Sequence, residues 1–219
     1  NYNRELDSHM MKNTEWGAVS YLSHSKYGIN TEVRINNNSN YLTGYAATAE
    51  SDQSSYPGVS GSTSDVTRPY NTETGYKAST TGNITGVYDM SGGASEYVAG
   101  YTPSSSDVSG FNASELTTYS KYLDIYPSNS TEISYNNRKL GDATGEMGPF
   151  YNYTDKDNVN RYHNNWHDDY SYFVVPTYPW FVRSAPFING ALTGQFYFSR
   201  NTGGGDNRVG SRLVLTPKI

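Results

Sequence analysis

His163, His167, Asp168 and Asp169 stand close together in RYHNNWHDDY. On a helix, residues four apart share a face, so His163 and His167 would have the spacing of a metal-ligand pair. The intervening Asn164-Asn165 and the crowd of aromatics read instead as a loop, in which these groups hydrogen-bond to their neighbours. Asp89, Glu96 and Glu146 are candidates for the paired carboxylates of glycoside chemistry. Asp155-Lys156-Asp157-Asn158 offers oxygen ligands of the kind that hold a structural Ca²⁺, without a recognised loop spacing. Gly203-Gly204-Gly205 lacks the Lys and Ser/Thr of a phosphate loop and reads as a turn. Cysteine is absent, which excludes a thiol nucleophile, a disulfide framework and cysteine-ligated zinc. Catalysis, by Glu96 or by the His163–Asp169 loop, is thus the weaker reading, and no cofactor is expected.

Binding chemistry is concentrated elsewhere, between Trp180 and Leu215. The expected ligand-contacting side chains are Phe187, Ile188, Ala191, Leu192, Tyr197, Arg200, Asn201, Asp206, Asn207 and Arg208. Tyr, Asn, Gly and Ser with an occasional Arg is the make-up of antibody binding loops. There, aromatics give area at low entropy cost and small polar residues give adaptable hydrogen bonds. Around Tyr197, Phe196 and Phe198 alternate, so both are expected to face the core and Tyr197 to face out as the aromatic centre of the site. Arg183 and Arg212, each beside an apolar run, read as structural.

Elements must hold those side chains. Trp180–Val182 and Leu213–Leu215 are short apolar runs that read as buried strands, with Phe196–Phe198 as another. Asn189-Gly190, Thr193-Gly194 and the Gly203–Gly205 run are turn signals between them. Lys12–Ser25 is the best helix, capped at Asn13 or Thr14, with Glu15 in its first turn, Trp16, Val19 and Leu22 or Ser23 on one face, and Gly28 near its end. Thr31–Ile35 reads as a short strand. Val87–Met90 leads through a Ser91-Gly92-Gly93 turn into a strand at Glu96–Val98. Asn36–Thr81 and Pro103–Leu140 read as long insertions, the second with a short helix at Ser114–Tyr122. Residues 1–10 have no periodicity and read as a tail or connector. Residues 11–219 form the domain, with its variable region at about 180–215.

Low hydrophobic content (35%) and a mean hydropathy of −0.74 are offset by aromatics at 15%, 22 of them Tyr, so a Tyr- and Phe-built core is expected. Net charge is −5 without a basic block, which argues against nucleic acid as a partner. No apolar run reaches membrane-spanning length. The chain begins at Asn1, so an upstream segment, a secretion signal or anchor, is expected.

Three stretches resemble one family. GVYDMSGGASEYVAGY is similar to the GLYDMSGNVWEWV segment of formylglycine-generating-enzyme-like domains, a branch of the C-type lectin fold. WFVRSAPF resembles that family's RGGSW segment, and RVGSRLVL its GFRLV segment. The resemblance covers roughly Met11 to Leu215. It implies an α+β, C-type-lectin-like fold: small antiparallel sheets, one or two helices and long irregular loops. It also places Asp89 and Glu96 at scaffold positions. The enzyme branch uses cysteines that this chain lacks, so formylglycine-generating activity is excluded. Ser184-Ala185 replace the Gly pair after the Arg. The whole chain is still more similar to the variable proteins of diversity-generating retroelements of bacteria and their phages, whose C-terminal segment is hypermutated at adenines. That resemblance implies a non-catalytic, surface-displayed protein that binds a protein or glycan on a cell surface, downstream of an anchor or pilin-like helix. A fixed-specificity lectin-type adhesin is the alternative. Asn codons mutated only at adenines cannot encode Lys, Glu, Met, Trp or Gln. Residues 184–211 contain no Lys, Glu, Met or Trp, where the chain's proportions predict about three. Gln195 is therefore expected to be a fixed position.

Overall fold

The computed structural model describes residues 6–47, 67–103, 120–127, 141–144, 151–154, 160–163 and 169–217. They form a mixed α+β structure of small sheets, one α-helix and loops. In chain order the strands are β1 (Leu6–Met10), β2 (Tyr45–Ala47), β3 (Thr67–Pro69), β4 (Ser95–Tyr101), β5 (Asp124–Ile125), β6 (Tyr151–Thr154), β7 (Asn160–His163), β8 (Trp180–Arg183), β9 (Phe198–Asn201), β10 (Val209–Ser211) and β11 (Leu213–Pro217). The helix α1 spans Asn13–Ser23.

The central sheet runs β10-β4-β8-β9, with β5 beside the end of β4. β8 pairs antiparallel with both β4 and β9, whereas β10 and β5 run parallel to β4. Alternation along the strands divides the side chains between two faces. Phe181 and Phe198 enter the main core with Trp16, Val33, Met90, Val98, Tyr126, Phe173 and Phe196. Trp180 and Tyr101 face the other way and build a second cluster with Ala99 and Leu123. The main core is largely aromatic, as the composition requires. Tyr126 and Phe173 meet Phe181 edge-on, at centroid separations of 4.8 and 5.1 Å.

α1 lies within the expected Lys12–Ser25, but Lys12, not Asn13 or Thr14, stands at its N-cap, and Asn13 is already helical. Glu15 turns back to accept the Lys12 backbone N–H at 2.8 Å, and the carboxylate of Asp124 accepts the Thr14 N–H at 2.7 Å. Both satisfy donors that a helix start leaves open. The buried face is Asn13, Trp16, Gly17, Ser20 and Ser23. Its spacing is helical and its chemistry mostly polar, so Leu22 is left exposed. A Cβ at Gly17 would lie 2.5 Å from the Asp142 backbone, so only glycine allows this approach. The helix ends at His24, ahead of Gly28.

Several expectations are corrected. Leu6–Met10 is no tail: it pairs with β11 from Leu6↔Pro217 to Met10↔Leu213. The Leu213–Leu215 run is not buried, since Leu213 and Leu215 are 66% and 55% exposed on one side of that two-stranded ribbon while Val214 packs on the core. Thr31–Ile35 is an extended segment outside any sheet that nonetheless buries Val33 and Ile35. Within Asn36–Thr81, β2 pairs with β3. Residues 120–122 form a single 3-10 turn, and the rest of the Ser114–Tyr122 helix lies outside the described residues. Among the described residues, no helix is long and apolar enough to cross a membrane.

Candidate functional site

The sheet's outward face is the floor of a cleft of about 290 Å³. Register brings Ser95 beside Val209, and Val182 beside Ser199, on this face. These short side chains leave room above the strands. Asn201, two residues beyond Ser199, extends the floor.

One wall follows β8. Ser184 leaves the strand with φ at 50°, in the left-handed region, and its hydroxyl donates to the Gly92 carbonyl at 3.0 Å. Glycine is the usual occupant of such a position. The chain then turns through Pro186 into a 3-10 segment at Phe187–Leu192. Pro186, Ile188 and Asn189 line the cleft from this side, and Tyr197 closes its base.

The opposite wall is the connection from β9 to β10. These strands lie on opposite edges of the β10-β4-β8-β9 sheet, so residues 202–208 must cross two strands. They cross on the outward side, where the Tyr97 hydroxyl donates to the Gly204 carbonyl at 2.9 Å. Asp206 then clips the turn, accepting from the Arg208 backbone at 2.8 Å and from its guanidinium at 3.0 and 3.1 Å. That pairing holds the Asp206 carboxyl below its ordinary value. Asp206 and Arg208 are exposed and their charges close on each other.

Of the residues the sequence singled out, Ile188, Tyr197, Arg200, Asn201, Asp206 and Arg208 converge on this cleft. Phe187 lies beside it, in edge-on contact with Tyr41 at 5.6 Å. Asn207 is exposed at the loop tip without lining the cleft. The side chains of Ala191 and Leu192 lie outside the described residues. Ser95, Val182, Pro186, Asn189, Ser199 and Val209 were missed. Ser95 follows the Gly92-Gly93 turn, but nothing in its residue type marks it.

Two of the expected contacts need correction. Tyr197 is not an exposed aromatic centre: it is 6% exposed and stacks on Tyr170 at 5.8 Å. Burial pushes its phenol up to about 12, partly opposed by a hydrogen bond with Ser199. The alternation itself holds, since Phe196 and Phe198 enter the main core and Tyr197 lies on the cleft side with Ser199; what removes it from solvent is the Tyr170 ring stacked over it. Arg200 is not a free rim charge. Register puts it opposite Phe181, and its guanidinium lies 3.8 Å from the centre of the Tyr172 ring and 5.1 Å from Tyr178.

The other chemical candidates serve the frame. Arg212 donates to both Glu96 oxygens, to the Tyr88 carbonyl at 3.0 Å and to the Asp89 carbonyl at 3.1 Å. Burial pushes the Glu96 carboxyl up and the Arg212 pair opposes that shift. Asp89 accepts from Asn36 at 2.8 Å and from the Gly44 N–H at 3.0 Å. Asp169 is buried and accepts the Phe196 N–H at 3.0 Å. Arg183 is fully buried between the rings of Trp16 and Phe198, and no acceptor among the described residues meets its guanidinium. Burial lowers it to about 10. Gln195 is a hub. Its carbonyl accepts from the Trp16 indole at 2.9 Å and the Ser20 hydroxyl at 3.0 Å, and its amide donates to Ser23 at 2.7 Å. His163 lies in β7, whose side chains lie outside the described residues, as do His167, Asp168, Glu146 and residues 155–158. Among the described residues, no three His, Asp or Glu side chains gather as a metal site would require.

Comparison of the chain with protein-family models, with curated proteins and with solved structures finds no match.

Proposed function

We propose that this protein is a non-catalytic ligand-binding domain, that the cleft over the outward face of the central sheet is its binding site, and that the residues lining it are diversified by a retroelement. One observation carries the reading: three separate pieces of the C-terminal stretch (188–189, 197 with 199–201, and 206 with 208) converge on one cleft, while Gln195, Phe196 and Phe198 beside them are bonded or packed into the frame. Ile188, Asn201, Asp206, Asn207 and Arg208 can change without removing a core contact. Ser184, Gln195, Phe196 and Phe198 cannot. That division is what a diversified loop on a rigid scaffold needs.

The finer fold, C-type-lectin-like, is part of the same proposal. Its support is that the three family-like motifs sit side by side as β10, β4 and β8 and are tied by Arg212 to Glu96 and by Ser184 to Gly92. Surface display and a protein or glycan partner on a cell surface follow from the same resemblance.

The test is to sequence this locus in sister strains and to screen the purified chain against host-cell surface proteins and glycans. Differences confined to adenine-bearing codons, dense at 188, 201 and 206–208 and absent at 184 and 195, are expected. Invariant cleft codons would favour the fixed-specificity adhesin. Binding that survives replacement of Ile188, Asn201 and Arg208 together would remove the cleft as the site.

A further inference from the structure

The cleft has a neighbour outside the C-terminal stretch. Residues 36–44 form a compact loop whose Tyr41 packs edge-on against Phe187, the residue preceding the cleft-lining Ile188. Leu42, next in sequence, is 48% exposed, and Ile188 is 43% exposed. Single exposed apolar residues are ordinary on a protein surface; here two of them flank one ring pair beside a cleft, and clustering of that kind is what marks a contact surface.

This loop is held in place. Tyr41 has φ at 56°, in the left-handed region that a ring-bearing side chain disfavours. Asn36 and Asp89 impose that shape. The Asn36 amide donates to the Leu42 carbonyl at 2.6 Å and to the Asp89 carboxylate at 2.8 Å, while its own oxygen accepts the Asn38 N–H at 3.0 Å. The Tyr41 N–H donates to the Asn38 carbonyl at 3.1 Å, and Asp89 accepts from Gly44. Strained conformations that the surroundings over-determine are concentrated at binding sites. The loop also shares a support with the cleft wall. Gly93 donates to the Asn36 carbonyl at 2.6 Å, and its own carbonyl accepts the Phe187 N–H at 3.2 Å. A Cβ at Gly92 would lie 2.4 Å from the Asn36 carbonyl oxygen, so glycine permits this junction.

The chemistry of the combined surface selects its occupant. Asp206 and Arg208 neutralise each other, and the Arg200 guanidinium is stacked on Tyr172. Apart from that closed pair and the ring-stacked cation, the lining is uncharged: the hydroxyls of Ser95 and Ser199, the amides of Asn189 and Asn201, and the apolar Ile188, Val182 and Val209. Such a lining suits a neutral apolar side chain flanked by backbone amides. A cleft of about 290 Å³ holds one such side chain.

We infer that Tyr41 and Leu42 form a fixed half of the binding surface, and that with Ile188 and Phe187 they grip an apolar or aromatic side chain of a protein partner. This rests on the cleft being the binding site. The frame-built half then supplies affinity common to all variants, and the C-terminal half supplies choice between partners.

N-acetyl-tryptophan amide is the probe, with methyl α-mannoside as the polyol comparison, each titrated into the isotope-labelled chain and followed by amide chemical shifts. The tryptophan amide should give saturable shifts at residues 41–42, 188–189 and 201. Tyr41→Asn with Leu42→Ser should weaken it at least fivefold while leaving the thermal transition in place, since Asn tolerates the left-handed backbone. Saturation at 188–201 without shifts at 41–42, or unchanged affinity in the double variant, overturns the inference and leaves the cleft as the site. Saturation by the mannoside alone overturns the partner chemistry in the same way. Saturation of the tryptophan amide only at residues outside both segments overturns the cleft reading too, and no saturation by it anywhere overturns the inference.

Discussion

Tyr197 and Ile188 are nine residues apart and line the same cleft, but they serve it differently. Tyr197→Ala should cost about 3–5 kcal/mol, the usual loss for a buried aromatic cut to Ala. Ile188→Ser should stay within about 0.5 kcal/mol, as exposed substitutions do. Urea unfolding of the two variants checks both values, and equal losses would mean that the burial assigned to one of them is wrong. Glu96 tests the frame. Its pair with Arg212 leaves the two side chains only 13% and 19% exposed. Glu96→Gln should therefore fall between an exposed pair, at about 0–1 kcal/mol, and a fully buried one, at about 3–5 kcal/mol. A variant as stable as the parent would show that the pair adds nothing. Alternation around Tyr197 identified Phe196 and Phe198 as core, and its place beside an apolar run identified Arg212 as structural. The side of Tyr197 was legible but its burial was not, because the covering ring, Tyr170, is remote in sequence from its strand.

Among the elements, β8 could be read directly from Trp180–Val182, because every residue of a central strand is covered. β11 carries the same kind of apolar run but lies in a two-stranded ribbon, which has one wet side. Composition cannot separate these cases; the number of neighbouring strands does. The same ribbon hid β1, since a strand with all five residues half-buried has no apolar rhythm to detect. The helix was found by Trp16 and its first-turn Glu15, while its polar buried face drew attention to Leu22, which lies in water. Deleting residues 1–10 strips β11 of its partner. The truncated chain should melt cooperatively at a clearly lower temperature in a circular dichroism scan. An unchanged melting temperature would return that segment to the status of a tail. The cleft could be read only in part, because its floor comes from Ser95, Val182 and Ser199, and small residues at strand positions mark a floor only once the register is known.

At the scale of the whole molecule, the tyrosine-rich interior sets an alkaline limit. Burial raises Tyr197 to about 12 from 10.0, and it raises Tyr88, Tyr97 and Tyr126 as well. A phenol raised in the folded state holds its proton where the unfolded chain has lost it. Its contribution is therefore complete below about pH 10 and is lost as pH rises through the folded value. For Tyr197 alone, at about 1.4 kcal/mol per unit, the full loss is on the order of 3 kcal/mol once pH has passed the folded value. Denaturant midpoints measured from pH 8 to 11.5 should be flat at first and then fall, and Tyr197→Phe should fall less steeply. Equal slopes in the two proteins would exclude Tyr197 as a source of the effect.

Gln195 has a consequence for how the chain is made. It is joined to Trp16, Ser20 and Ser23, from 172 to 179 residues earlier in the sequence. An isolated helix of 11 residues is marginal in water, so α1 gains its stability from docking. Its docking partner leaves the ribosome more than 170 residues later. α1 therefore waits for that stretch, and the main core cannot close until it has emerged. Contacts this distant in sequence make for slow closure. The waiting chain exposes aromatics such as Trp16 and Phe181, so it is most exposed to aggregation before residue 195 arrives.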